Sequence, residues 1–216
     1  MRNKYLFTLF ISLLFAQLTI AQAKKFGKVD KASLQMKVYP KDSSANAVIL
    51  FDKGYTYTQR VGDRLIVEHE RHTRIKILTK EGYDWGDIEI PFYTKSGSKE
   101  RISKIKAAVY TLENGKVRKY KVRRREIITE KQSENWSAKK VSLPNVKEGV
   151  VIEYSYQKTS PFSVTLDPWY FQKSIPVIYS EFNTWLPSSQ ANFVKLLQGS
   201  IPIKHKKILG SYEAIG

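Results

Sequence analysis

Apolar side chains recur at every second position through much of this chain, and a period of two dictates extended strands with unlike faces. In Val150-Val151-Ile152-Glu153-Tyr154-Ser155-Tyr156-Gln157 the even positions are apolar throughout, whereas Glu153, Ser155 and Gln157 face the other way. That pattern predicts a half-buried strand. Leu65 to Leu78 repeats it, with Leu65, Val67, Ile75 and Ile77 on one face and Glu68, Glu70, His72, Arg74 and Lys76 on the other. The run is longer than most strands, so a bend or bulge is expected near His69 to Thr73.

Turn chemistry supports the same reading. Asn114-Gly115 is the preferred pair for a two-residue type I′ turn, because both central residues must take positive φ. Folding the chain there pairs Glu113 with Lys116, Leu112 with Val117, Val109 with Tyr120 and Ala107 with Val122. One surface of the hairpin then carries Ile105, Ala107, Val109, Tyr120 and Val122. The other carries Lys104, Lys106, Lys119, Lys121 and Arg123 with Tyr110 among them. Pro144, Pro161, Pro168, Pro176, Pro187 and Pro202 cut the second half into short pieces and leave little room for long helices. The expected fold is therefore all-β, mainly antiparallel, a β-sandwich-like single domain with at most short helices. Ser188 to Gln198 is the best helical candidate, although a strand fits it nearly as well.

The amino terminus follows a different logic. Arg2 and Lys4 precede an apolar stretch from Tyr5 to Ile20, which leads into Ala21-Gln22-Ala23. These are the basic region, apolar region and small-residue cleavage site of a secretory signal peptide, expected over residues 1–23. The stretch is interrupted by Thr8, Ser12, Gln17 and Thr19, and it falls short of the roughly 20 apolar residues that span a bilayer. No later segment is apolar enough to do so, so the mature product is expected to be exported, periplasmic or extracellular, with no transmembrane segment after cleavage. Residues 24–200 are read as one β-rich domain and 201–216 as the start of a linker or a truncated carboxy-terminal region. The close at Gly216 lacks a terminating pattern, as expected of a piece of a longer protein.

Composition narrows the chemistry. The chain has no cysteine, which removes disulfides, a thiol nucleophile and a lipid-modified cysteine. A net charge of +17 favours anionic partners. In an exported protein those are envelope glycans, lipid head groups or extracellular DNA, with intracellular nucleic acid out of reach. The basic hairpin face is accordingly the candidate polyanion site, formed by Lys104, Lys106, Tyr110, Lys119, Lys121 and Arg123. Its cations would neutralise phosphates or uronates and its ring would stack on a sugar or base. Lysines on a strand also prevent edge-to-edge pairing, so the same pattern serves solubility.

Other constellations point away from catalysis. His69-Glu70-Arg71-His72 is one residue too short for the H-E-x-x-H zinc helix. In a strand its two imidazoles point to opposite faces and cannot share a metal. Glu68 and Glu70 share a face, but interleaved basic residues make it read as a solvated face with cross-strand ion pairs. Neither a G-x-S-x-G elbow nor a glycine-rich phosphate loop occurs. No catalytic residue, metal site or cofactor is expected; the alternative, an enzyme in its own right, would require a deep pocket holding Glu68 or Glu70 with a perturbed pKa. Tyr154, Tyr156, Phe162, Trp169, Tyr170, Phe171, Tyr179, Phe182 and Trp185 read as core, with a turn at Asp167-Pro168-Trp169-Tyr170-Phe171 placed to expose some of them.

Lys140-Val141-Ser142-Leu143-Pro144-Asn145-Val146-Lys147-Glu148-Gly149-Val150-Val151-Ile152-Glu153-Tyr154-Ser155-Tyr156 resembles a segment of the DUF3857 domain. Arg74 to Phe92 with Gly82-Tyr83-Asp84-Trp85, Ile105 to Val117 with its Asn-Gly turn, and Ser160 to Pro187 fit the same pattern in the same order. The likeness covers most of the chain from about residue 40 to 200. It implies an exported β-sandwich-like module that precedes a transglutaminase-like domain, whose Cys-His-Asp triad would carry the chemistry. These residues offer no such cysteine, so the likeness implies a non-catalytic accessory or binding module. Its partner would be a transglutaminase-like domain missing from this chain, or an anionic envelope glycan.

Overall fold

The computed structural model describes residues 25–95, 97–162, 166–185, 204–208 and 211–215, the last two segments as backbone strands only. The expected signal peptide and the Ser188 to Gln198 candidate lie outside the described residues. Eleven strands are described: β1 (Ala47–Val61), β2 (Arg64–Ile77), β3 (Asp87–Tyr93), β4 (Arg101–Glu113), β5 (Lys116–Lys121), β6 (Ile127–Lys131), β7 (Trp136–Ser142), β8 (Val151–Ser160), β9 (Ser180–Trp185), β10 (Lys204–Ile208) and β11 (Ser211–Ile215). They form an eight-stranded sheet in the order β10-β11-β9-β1-β2-β8-β4-β5 and a three-stranded sheet in the order β3-β7-β6. Every pairing is antiparallel except β1 with β9. The one α-helix described, α1 (Lys31–Gln35), starts where the Asp30 carboxylate accepts the Ser33 amide at 2.7 Å and buries only Leu34.

The alternation read from the sequence builds the main core. Ala47, Ile49, Ile75, Ile77, Ala107, Val109 and Ile152 project from one face of the large sheet onto Ile88, Ile90, Phe92, Val141 and Leu143 of the small one. Each valine, leucine, isoleucine or phenylalanine among them contributes about 1.5–3 kcal/mol on full burial. The hairpin turns at Asn114-Gly115, with φ of 50° and 70°, and its register is the expected one.

The structure departs from the sequence reading in two places. β8 is not half-buried: Val151 and Glu153, on its second face, have no exposed surface. Residues 26–36 lie across that face, where Phe26, Val29, Leu34 and Met36 pack on Leu50, Ala108, Tyr110 and Val151. β2 runs unbroken, and the irregularity falls on its partner, where Leu50 is an extra residue between the Ile49–Ile75 and Phe51–Arg74 pairs. The bulge turns both Leu50 and Phe51 toward the second face, so β1 changes which residues it offers the core while β2 keeps its alternation. Residues 204–208 and 211–215 form strands that extend the large sheet beyond β9.

Burial of the second face brings charges inside, and each has partners. Glu153 Oε1 accepts from Arg74 Nη2 at 2.6 Å and lies 2.9 Å from His72 Nε2. Its Oε2 accepts from the Tyr110 hydroxyl at 2.7 Å and the Gly27 amide at 2.9 Å. Burial alone would raise this carboxyl, but hydrogen bonds from His72, Tyr110 and Arg74 overcome it and hold the group at about 2. Lys76 Nζ donates to the carbonyls of Leu34 at 2.7 Å and Gly149 at 2.6 Å, fastening α1 to the sheet.

Glu153→Ala should destabilise the protein by about 3–5 kcal/mol, because it strands the buried Arg74. In the native chain the Glu153 carboxyl is depressed relative to its ordinary 4.5, so its contribution is complete above about 4.5 and is lost as pH falls toward 2. Denaturant titrations across that window should show a shallower acid loss in Glu153→Gln; an unchanged slope would remove Glu153 from this role.

Candidate binding sites on the two faces of the large sheet

One end of β1, β2 and β8 is left open by both the small sheet and the amino-terminal segment. On the second face a groove of about 440 Å³ opens there, lined among others by Lys53, Tyr55, Glu70, Lys106, Gln157 and Asn183. Lys53 and Glu181 face each other across the β1–β9 pairing with a 2.8 Å ion pair.

The proposed polyanion residues divide at this groove. Lys104 and Lys106 line it, Lys104 at positive φ where an extra residue interrupts the β4–β8 register. Lys119 stands beside it with its ammonium over the rings of Phe26 and Tyr110. Burial lowers its pKa, and the charges of Lys121 and Lys106 push in the same direction. Lys121 and Arg123 are exposed. Tyr110 must be removed from the set. It is 1% exposed, because Phe26 and Lys119 cover its ring and its hydroxyl serves Glu153, so it cannot stack on a ligand.

On the first face, a pocket of about 360 Å³ is lined by residues of both sheets. Its floor is a row across three strands, Thr56 on β1, His69 on β2 and Lys158 on β8, all in register. Thr56 Oγ1 and His69 Nδ1 share a 2.8 Å hydrogen bond. Burial pulls the imidazole down to about 4, against an opposing effect of Asp167. Thr56 is 2% exposed, which makes this contact a sheet-bridging bond rather than a poised nucleophile and base. Lys158 Nζ lies 2.7 Å from Asp167 and 3.4 Å from Glu100, whose carboxylate also accepts the Tyr93 amide at 2.9 Å. Tyr93 forms edge-on contacts with Trp136 and Phe162, both at 5.4 Å between ring centroids.

Beside the pocket, Trp169 stacks on Phe182 at 5.1 Å and takes the Arg71 guanidinium at 4.9 Å. Gly54 lies beneath: a Cβ there would come within 2.5 Å of the indole, so only glycine admits this packing. Arg71 in turn pairs with the buried Asp52, its Nε donating at 2.9 Å. Trp169 and Phe182, expected in the core, are only half-buried and stand outside the main hydrophobic clusters, while Trp185 and Tyr170 are 47% and 62% exposed.

The two histidines of β2 take opposite faces, His69 toward the pocket and His72 toward Glu153. Among the described residues no group of three or more histidines and carboxylates is placed to hold a metal. Glu68 accepts from Thr159 at 3.0 Å, while Glu70 lines the groove. The sequence reading missed the pocket. Its one available signal was Lys158, the next even position after Tyr154 and Tyr156 and hence a cation on an inward-facing register.

Residues 66–208 match the profile of DUF3857, a Domain of Unknown Function with solved structure. No curated protein matches the chain by sequence. Among solved structures, a protein of Parabacteroides distasonis ATCC 8503 described as a "putative protease" superposes with a TM-score of 0.54 at 11% identity, over 79% of this chain and 34% of that one. The chain thus spans about a third of that protein. Native yeast LTA4 hydrolase gives a TM-score of 0.39 at 8% identity, over 79% of this chain and 26% of its own. An M1 zinc metallopeptidase from Deinococcus radiodurans gives 0.34 at 10% identity, over 84% and 41%. At 11% identity the likeness to the Parabacteroides protein is one of fold alone.

Because the His69 imidazole is depressed from 6.5 to about 4, the unfolded chain binds a proton that the folded chain refuses between those values. The associated stability is complete above about 6.5 and declines as pH falls toward 4. Urea unfolding at pH 7 and pH 5 should show a smaller loss in His69→Gln than in the native protein.

Proposed function

The chain belongs to the DUF3857 family, and from that premise we propose that it is an exported, non-catalytic accessory module that binds rather than transforms its ligand. The observation that carries this reading is where its buried acids and bases are spent. Glu153 serves Arg74, Tyr110 and Gly27; Asp52 serves Arg71 and Thr73; Glu100 serves Lys158 and Tyr93; His69 serves Thr56. A general acid or base must exchange protons with substrate, and groups locked in sheet-bridging bonds are badly placed to do so. The groove and the pocket are open and lined by polar and aromatic side chains, as binding sites are.

Export is supported by the amino-terminal pattern of residues 1–23, and the accessory role by the span of this chain against a longer protein of like fold. In that role a neighbouring domain, of the transglutaminase-like type that the sequence resemblance implies, supplies the thiol this chain lacks. The purified chain is expected to show no amide hydrolysis or acyl transfer above buffer. Turnover that survives purification and disappears in His69→Gln would overturn the reading.

A second reading, polyanion binding on the second face, is favoured by the mutual proximity of Lys106, Lys119 and Lys121, whose charges act on one another. Lys104 and Arg123 extend the same basic face. Affinity for an acidic glycan or DNA should fall steeply between two ionic strengths, and the variant with Lys106 and Lys121 changed to glutamate should lose most of it. Equal affinity in that variant would rule this face out.

A further inference from the structure

We propose that the pocket between the sheets is a receptor for an organic cation, an alkylammonium or guanidinium group of the kind a basic side chain presents. The proposal rests on the binding-module reading and names the ligand class of one of its sites.

Charge carries the first part of the argument. Lys158 is held between Asp167 and Glu100, and two carboxylates against one ammonium leave a surplus negative charge. His69, neutral above about pH 4, does not cancel it. A local negative site stands out on a chain of net charge +17. An anion would have to compete with two carboxylates already on Lys158, whereas a cation meets Asp167, whose side chain is 43% exposed.

The walls carry the second part. Tyr93, Trp136 and Phe162 form a connected aromatic set, and the faces of such rings attract cations. The protein already uses this chemistry internally: Arg71 sits over Trp169, Arg74 over Phe51, and Lys119 over Phe26 and Tyr110. Among the described residues no cation sits over Tyr93, Trp136 or Phe162, and the Trp136 side chain remains 44% exposed. About 360 Å³ suits one side-chain-sized group rather than a length of polymer.

The test titrates the whole chain with Nα-acetyl-lysine methylamide and Nα-acetyl-arginine methylamide. The uncharged comparators are Nα-acetyl-norleucine methylamide and methyl glucoside. The readout is the indole N–H resonance of Trp136, assigned among the four tryptophans by its loss in Trp136→Phe. Cationic probes should shift it saturably, and the uncharged ones should bind about tenfold more weakly or not at all. Asp167→Asn should weaken the cationic probes by about tenfold, and Asp167→Glu, which keeps the charge, should retain binding even if either variant melts lower. The proposal is overturned if norleucine amide or the glucoside binds as well as the cations, if no cationic probe saturates, or if Asp167→Asn binds undiminished. Such a failure without turnover leaves the non-catalytic reading standing, because that reading is decided by the activity assay alone.

Discussion

The Glu153 carboxylate lies in the middle of the large sheet with no exposed surface, and donors from the amino-terminal segment, β2 and β4 converge on it. A charge so far from water costs several kcal/mol unless it is fully paired, and a missing donor leaves the buried Arg74 unpaired in turn. The strands and the segment that covers them must therefore be in place together. Lys76 adds a second fastening with the same logic, since its ammonium is buried between a carbonyl of α1 and one of the turn before β8. Part of this cluster remains imperfectly matched: Arg74 Nε and Nη1 have no hydrogen-bond partner, and the guanidinium rests instead on the Phe51 ring at 4.9 Å.

Covering the sheet centre on both sides leaves one end of β1, β2 and β8 open, where the groove and the pocket lie. Strand alternation then divides that end between two sites. Glu70 and Gln157 line the groove on the second face, while their immediate neighbours His69 and Lys158 line the pocket on the first. The two sites are back to back on the same backbone and carry unlike chemistry, basic on one side and acidic with aromatic walls on the other. Because these strands are pinned by the buried network, both sites rest on a rigid scaffold, which limits what either loses in ordering when a ligand arrives.

The superposition on part of a longer protein shows how little of function the fold conveys. At 11% identity the fold persists while the side chains that would touch a ligand are free to differ. Function in this chain has to be argued from Lys158, Asp167, Trp136 and their neighbours rather than from the sandwich that holds them.

Period-two alternation in β2 and β8, together with Asn114-Gly115, was sufficient to specify strand class, hairpin register and the inward set Ile75, Ile77, Val109 and Ile152, because these depend on neighbours close along the chain. The opposite facing of His69 and His72 follows from the same local rule. Burial of Tyr110, Arg74 and Glu153 could not be read that way. Their parity marks a second face, but whether that face meets water depends on residues 26–36, which pack there from far away in sequence. The bulge at Leu50 and the meeting of Glu100, Lys158 and Asp167 are decisions of the same kind. Local stereochemistry determines which way a side chain points, and only tertiary packing determines what it points at.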